Sequence, residues 1–510
     1  MLAKILTFGL FGIDAYPVEV EVDVTQGLPA INIIGLVDAS IKESYGRVKT
    51  ALKNCGYRWP AERITISLSP SYIRKEGPGF DLAIALGILC ASNQIDGQNL
   101  KDYCIIGELS LGGCVRPCRG ILPISLAMAK HKIKDIILPE ANAKEAGMIS
   151  SISAWPVTTL NETVELLNTP RAFHPYIIDI KDVFSSQGNY PVDISEIKGQ
   201  LAAKRALEVA VCGNHNILMI GPPGSGKTML AKRIPTILPD LTLEESLEIT
   251  RIHSAAGKLS ANSGLIATRP FRCPHHTISE AGMAGGGAIP QPGEISLAHL
   301  GILFLDELPE FKRGCLETLR QPMEDGYIQI NRAARYFIFP TSFMLICAMN
   351  PCPCGFLTDP RKPCRCNTTK VQNYRSKISG PLLDRLDIHI DVPAIKYQEL
   401  AHNLPAESSA AVKARVNKTR MVQRERLKNA GILCNGQMSH KQIREYCILG
   451  REENELLKAA MNELNLSARA YDRILKVSRT IADMAECGDI ETGHISEAIQ
   501  YRSLDRNLFF

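Results

Sequence analysis

Eight residues, Gly221-Pro-Pro-Gly-Ser-Gly-Lys-Thr228, constrain this chain more than any others. They follow the apolar run Asn216-Ile-Leu-Met-Ile220. A short buried strand, a glycine-rich turn and a helix starting near Lys227 are what a nucleotide-phosphate cradle requires. Gly221, Pro222, Pro223, Gly224, Ser225 and Gly226 make the turn, in which successive backbone N–H groups face the phosphates. Lys227 reaches the β and γ oxygens, and the Thr228 hydroxyl is placed for Mg²⁺. ATP and Mg²⁺ are therefore the expected cofactors.

Length frames the rest. At 510 residues the chain exceeds one ordinary core, so two or three domains are expected. A hydrophobic content of 45% with 22% charged residues fits a globular protein. No run approaches the apolar length of a membrane helix, and Met1-Leu-Ala-Lys lacks a signal-peptide plan. A cytoplasmic protein without a membrane partner is expected. The net charge of +5 permits a nucleic-acid partner without requiring one. In such a setting the sixteen cysteines read as reduced thiols or metal ligands.

The part up to about Pro170 alternates strand-like runs (18–24, 30–34 and 63–68) with amphipathic helices, clearest over 81–89 and 121–129. That mixture of periods predicts an α/β domain. Lys75-Glu-Gly-Pro-Gly-Phe-Asp81 and the stretch from Gly107 to Leu122 resemble the Lon-protease peptidase domain. That fold implies a serine–lysine dyad. This chain has Gly79 at the serine position and Leu122 at the lysine position, which supply neither nucleophile nor base. The resemblance thus implies the Lon-protease/ribosomal-S5-like fold and argues against proteolysis.

Residues 183–193 are polar and turn-rich and read as linker. Ile197-Lys-Gly-Gln200 precedes a helix over 201–212, with Gly199 and Gln200 either wrapping a nucleotide base or making an ordinary turn. Downstream, Gly301-Ile-Leu-Phe-Leu-Asp-Glu307 is an apolar strand ending in two acids. Asp306 suits the Mg²⁺ shell and Glu307 the polarisation of an attacking water. A second buried strand, 343–349, ends in Asn350, whose amide suits orienting water or the γ-phosphate; a turn before Pro351 is the alternative. Arg385, in Leu-Leu-Asp-Arg, is a forked permanent cation suited to a transferring phosphoryl group, usually on a neighbouring subunit. Asp384 and Asp387 offer it a local salt bridge instead.

Together these motifs resemble an AAA+ ATPase. The blocks 269–279 (Arg-Pro-Phe-Arg-Cys-Pro-His-His-Thr-Ile-Ser) and 285–299 resemble more narrowly the magnesium-chelatase-like ComM/YifB family. The resemblance spans nearly the whole chain. It implies a bacterial, ring-forming ATPase, a homo-hexamer acting as a DNA helicase on single-stranded or branched DNA and promoting branch migration in natural transformation. The runner-up is a chelatase-like ATPase that remodels a protein client. The implied organisation is a catalytically inactive Lon-like domain over 1–170, a linker over 171–193, an AAA+ P-loop α/β/α domain over 194–396 and a helical lid over 397–510.

Within that frame, 285–293 would be an insertion facing the ring pore. Residues 323–339 read as a β-hairpin with its tip near 331–334, similar to a hairpin of related helicases. Arg332 and Arg335 near the tip suit phosphate contacts. His275 and His276 read as a structural pair. Cys352-Pro-Cys354 and Cys364-Arg-Cys366, in a Cys-rich loop over 352–366, are four thiols in two close pairs and suit a structural Zn²⁺. Free thiols or a redox pair are the alternatives. The stretch 412–428 carries seven basic residues against Glu425, as either a DNA-facing or a solvated helix. Further helices are expected over 439–449, 453–464, 471–485 and 494–501. Arg469 resembles the family's sensor-2 arginine, and Arg473 a packing residue.

Overall fold

The computed structural model describes residues 2–178, 190–259, 264–287, 290–332, 335–357, 359, 362–394, 406–464 and 466–504, without the side chains of Arg332 and Arg335. Residues 179–189 of the expected linker, the start of the expected lid, Ala333 and Ala334 of the hairpin tip, Ala288 and Ile289 of the glycine-rich insertion, and Thr358, Pro360 and Arg361 of the Cys-rich loop lie outside these residues. The chain divides into two compact units. One is Met1–Gly188 with Leu243–Ala267; the other is Asn189–Thr242 with Thr268–Phe510.

The first unit is built on a seven-stranded sheet. Its strands are β1 (Leu2–Phe11), β2 (Asp14–Thr25), β3 (Ala30–Ile34), β4 (Arg63–Ser69), β5 (Tyr103–Ile105), β6 (Asp135–Pro139) and β7 (Ser153–Val157). Their order is β3-β4-β2-β1-β5-β6-β7. β1 and β2 pair antiparallel with Ile5 opposite Val20. In β2 the alternation Val-Glu-Val-Glu-Val buries Val18, Val20 and Val22 and turns the acids outward. Helix Asp81–Ala91 is buried at every residue, including Asp81, whose carboxylate pairs with Arg47 Nε at 2.8 Å. An uninterrupted apolar helix needs such burial all round.

Residues 243–267 lie between the phosphate loop and the Asp-Glu strand in sequence, yet group with this first unit. Helix Leu243–Ala255 packs on helix Ile121–Lys130. The Gly120 N–H donates to Ser254 O at 3.1 Å, the Ser254 hydroxyl donates to buried Glu145, and Arg251 approaches Asp14 at 3.6 Å. Glu145 also accepts from the Leu122 N–H at 2.8 Å. The Leu122 side chain is fully buried, and Gly79 has no side chain, so neither presents a reactive group.

The second unit holds a five-stranded parallel sheet. Its order is Phe271–Arg272, Ile302–Leu305, Met344–Met349, Ile217–Ile220, Ile388–Asp391. The three central strands are buried throughout, as expected of parallel strands covered on both faces. Helix Leu201–Gly213 and the C-terminal helices Ser409–Leu427, His440–Tyr446, Arg451–Glu463, Ala468–Met484 and Thr492–Gln500 share one core with it. These helices match the expected ones within a few residues. The hairpin is shorter than its sequence pattern: Met323 to Asp325 end helix Arg320–Asp325, and the arms are Tyr327–Arg332 and Arg335–Pro340. Gly326, at φ +71, turns the chain from helix to strand.

Candidate nucleotide and metal sites

Strand Ile217–Ile220 delivers the chain to the phosphate loop, and helix Lys227–Arg233 begins at Lys227. Gly224 and Gly226 adopt φ of +76° and +91°, which a side chain would resist. Gly221 lies so close to Val392 O that a Cβ would stand 2.2 Å from it. The Lys227 ammonium donates to Gly221 O at 2.7 Å, Pro222 O at 3.0 Å and Asn350 Oδ1 at 3.3 Å. Burial lowers its pKa, against the attraction of Asp306 and Asp391. Thr228 Oγ1 donates to Asp306 Oδ2 at 2.7 Å. That pair gathers two hard oxygen donors beside the loop, the donor set Mg²⁺ takes.

Glu307 sits in the left-handed region at φ 55° and is exposed. Its Oε2 lies 3.6 Å from His276 Nδ1. His276 in turn stacks on His275 with ring centroids 4.1 Å apart and meets the edge of Phe311. The sequence suggested no chemistry for this histidine pair, because its acid is thirty-one positions away in the chain. Gln200 donates from Nε2 to Ser225 O at 2.5 Å, so its side chain supports the phosphate loop. Within the 269–299 blocks, Arg272 makes a two-pronged pair with Glu294 at 2.6 and 2.7 Å, and Arg269 donates to Pro239 O and Leu300 O.

Arg385 stands elsewhere. Asp387 N donates to Asn216 O, and Ile388 pairs with Ile217, both at the N-terminal ends of these parallel strands. The phosphate loop leaves from their C-terminal ends, a strand length of roughly 10 Å away at ~3.3 Å per residue. Arg385 is buried. It donates to Glu324 Oε1 at 2.5 Å and Pro381 O at 2.6 Å, so its acid partner is neither Asp384 nor Asp387. Burial lowers its pKa, Glu324 opposes this, and repulsion from Arg320 and Arg469 adds to it. Arg469, exposed in the first turn of helix Ala468–Met484, stands one turn before Arg473, which reaches Asp387 at this end of the sheet. One turn further, Arg473 Nη1 donates to Asp387 Oδ1 at 2.8 Å.

The four cysteines converge. Cys352, Cys354 and Cys364 sulfurs lie 3.4 to 3.7 Å apart, and all four ligand atoms, with Cys366, fall within 4.8 Å of one another. Disulfides need about 2.05 Å. Tetrahedral Zn²⁺ with ~2.3 Å bonds holds sulfurs about 3.8 Å apart, so the donor set fits zinc. Backbone N–H groups of Phe356 and Arg365 hold the Cys354 thiol down at about 6. At Cys364 and Cys366 a backbone N–H opposes, but burial and the neighbouring thiols raise the pKa, as expected of thiols crowded together. On the hairpin, Arg332 pairs with Arg335 across the tip, while their side chains are outside the described residues.

Comparison with known proteins decides the family. The chain is 41% identical to competence protein ComM of Haemophilus influenzae over 99% of its own length and 98% of that protein's. The chain belongs to the ComM/YifB family. It is 40% identical, over 99% of its length and 98% of the relative's, to YifB of Escherichia coli. Family models for magnesium chelatase subunit ChlI match residues 193–400 and 20–142, and one for the ChlI C-terminal part matches 406–502. A likeness to Lon protease 2 of Bacillus subtilis, 29% identical, covers 32% of each chain. The ComM/YifB member is thus a magnesium-chelatase-type AAA+ ATPase, with the ATP and Mg²⁺ that class uses. No helix among the described residues is long and apolar enough to cross a membrane.

Proposed function

We propose that this chain is one subunit of a cytoplasmic homo-hexameric motor that uses ATP hydrolysis to move along single-stranded or branched DNA, promoting branch migration in natural transformation. The observation that carries the reading is the division of the reactive side chains between two ends of one sheet. Lys227, Thr228, Asp306, Glu307 and Asn350 gather at the C-terminal end, while Arg385 and Arg469 lie at the N-terminal end. A lone chain does not bring either guanidinium to its own γ-phosphate, whereas a head-to-tail neighbour in a ring does.

Each group then has a task. The phosphate-loop N–H groups and Lys227 hold the β and γ phosphates, and Thr228 and Asp306 bind Mg²⁺, which neutralises developing charge. Glu307 polarises the attacking water and Asn350 orients it. Arg385 and Arg469 of a neighbour stabilise the transferring phosphoryl group. Arg332 and Arg335 contact DNA phosphates, and the four cysteines hold a structural Zn²⁺. The Lon-like part, with Gly79 and Leu122, does no peptidase chemistry. The DNA partner is supported by the competence name of the relative in Haemophilus influenzae.

A protein client is the second reading, favoured by the match to a chelatase subunit. Strand displacement on branched DNA, with Lys227→Ala and Glu307→Gln as controls, separates the two. Unwinding by wild type alone, with hydrolysis stimulated by DNA and not by unfolded protein, supports the motor. An oligomer that neither binds nor unwinds DNA moves the function to a protein client.

A further inference from the structure

The loop that carries the thiols also touches the loop that cradles phosphate. The chain leaving strand Met344–Met349 meets the phosphate loop three times. Met349 O accepts from the Gly221 N–H at 3.2 Å. Asn350 Oδ1 accepts from Lys227 at 3.3 Å. Five residues on, buried Gly355, at φ +84, lies so close to Pro223 that a Cβ on it would stand 2.5 Å from Cδ and 2.6 Å from Cγ. Cys352 and Cys354 fall between the second and third contacts, and Cys354 immediately precedes Gly355. Where the thiols are held, Gly355 is held, and Gly355 is what Pro223 rests on. Pro223, like Pro222 before it, has φ fixed by its ring, so support at that rigid pair constrains the whole cradle.

We propose that the metal-bound cysteine loop braces the phosphate loop, so that nucleotide affinity depends on whether the four thiols hold Zn²⁺. This rests on the zinc reading above and assigns that site a task at the nucleotide. With zinc bound, the cradle is already ordered when nucleotide arrives. Without it, ordering residues 352–355 and the turn they support is charged to the binding step, which lowers affinity and leaves the reacting groups in place.

The test measures zinc content and the Kd of a fluorescent ATP analogue with Mg²⁺ on the full chain. The preparations are wild type as purified under reducing conditions, wild type stripped by a zinc-selective chelator, the stripped protein reloaded with Zn²⁺, and Gly355→Ala. Wild type is expected to carry about one Zn²⁺ per chain. Stripping is expected to weaken nucleotide binding about tenfold without abolishing it, and reloading to restore it. Gly355→Ala keeps all four thiols. It is expected to retain zinc and still lose affinity, because it pushes on Pro223 directly. Equal Kd values for stripped and loaded protein, or for Gly355→Ala and wild type, overturn the brace and leave the zinc site standing. Wild type without zinc removes the zinc site and the brace with it. A Cys364→Ser, Cys366→Ser double variant adds a permanently metal-free arm; if it fails to fold, the stripped and Gly355→Ala arms decide.

Discussion

At the scale of single residues, the nucleotide site separates binding from chemistry. The Lys227 ammonium bonds the turn itself, at Gly221 O and Pro222 O, so Lys227→Ala is expected to lose ATP binding in a fluorescent-nucleotide titration. Glu307 faces outward beside His276 and bonds none of the turn, so Glu307→Gln is expected to keep nucleotide binding while kcat falls by about 10²–10⁴. Retained turnover in Glu307→Gln would move the base elsewhere. A second residue-scale test concerns His215, fully buried with Nε2 at 2.8 Å from Thr480 Oγ1. Burial pulls its pKa down to about 4, Asp387 opposes this, and Lys476, Arg473 and Arg420 add to it. A histidine depressed in the fold stabilises fully above its unfolded value of about 6.5, and that stability is lost as pH falls towards the folded value. The second unit is therefore expected to lose up to about 3 kcal/mol between those limits, a slope that His215→Gln flattens in denaturant melts. An unchanged slope in the variant would show that other groups carry the acid sensitivity.

At the scale of elements, the lid is tied to the sheet through buried charge. Arg473 on helix Ala468–Met484 holds Asp387, whose carboxylate burial alone would raise; Arg473, His215 and Lys476 pull it below the usual range. Removing one partner of a buried pair leaves a charge stranded, so Arg473→Ala is expected to cost about 3 kcal/mol in a denaturant titration. A loss below about 1 kcal/mol would mean Lys476 and the Asn216 N–H suffice. The hairpin is the element with the most direct claim on DNA. Replacing Arg332 and Arg335 by Ala is expected to weaken binding evenly across sequences and lower the salt slope by about two, with DNA-free hydrolysis preserved. A sequence-selective loss would contradict phosphate contact.

Legibility in the sequence followed range. The phosphate loop, the acid-ended strand and the helical C-terminal segment could be read because each is local: glycine spacing, an apolar run with its terminal acids, a helical period. Thr228 and Asp306, each read as a Mg²⁺ ligand from its own motif, stand 2.7 Å apart because parallel strands deliver both to one end of the sheet. The partners of Arg385 and His276 were not legible, since Glu324 and Glu307 are brought in by the folded turn after a helix or strand. Nor was the grouping of 243–267 with the first unit, which depends on Ser254 meeting Glu145. The contact of Gly355 with Pro223 had no signal at all, being a matter of packing between two loops.

At the scale of the whole molecule, everything turns on whether active sites are shared between copies. The arginines and the phosphate loop occupy opposite ends of one sheet, so hydrolysis should require assembly and should rise with protein concentration up to ring formation. Arg469 is exposed and can be replaced with little cost to folding, unlike buried Arg385. The most direct measurement mixes two variants, Lys227→Ala and Arg469→Ala, each inactive alone, and follows ATP hydrolysis on branched DNA. Random rings place an intact phosphate loop against an intact arginine at about one interface in four, so activity is expected to return to that order on mixing. No recovery on mixing, with wild type hydrolysing at full rate as a dilute monomer, would contradict the shared site and the motor built on it.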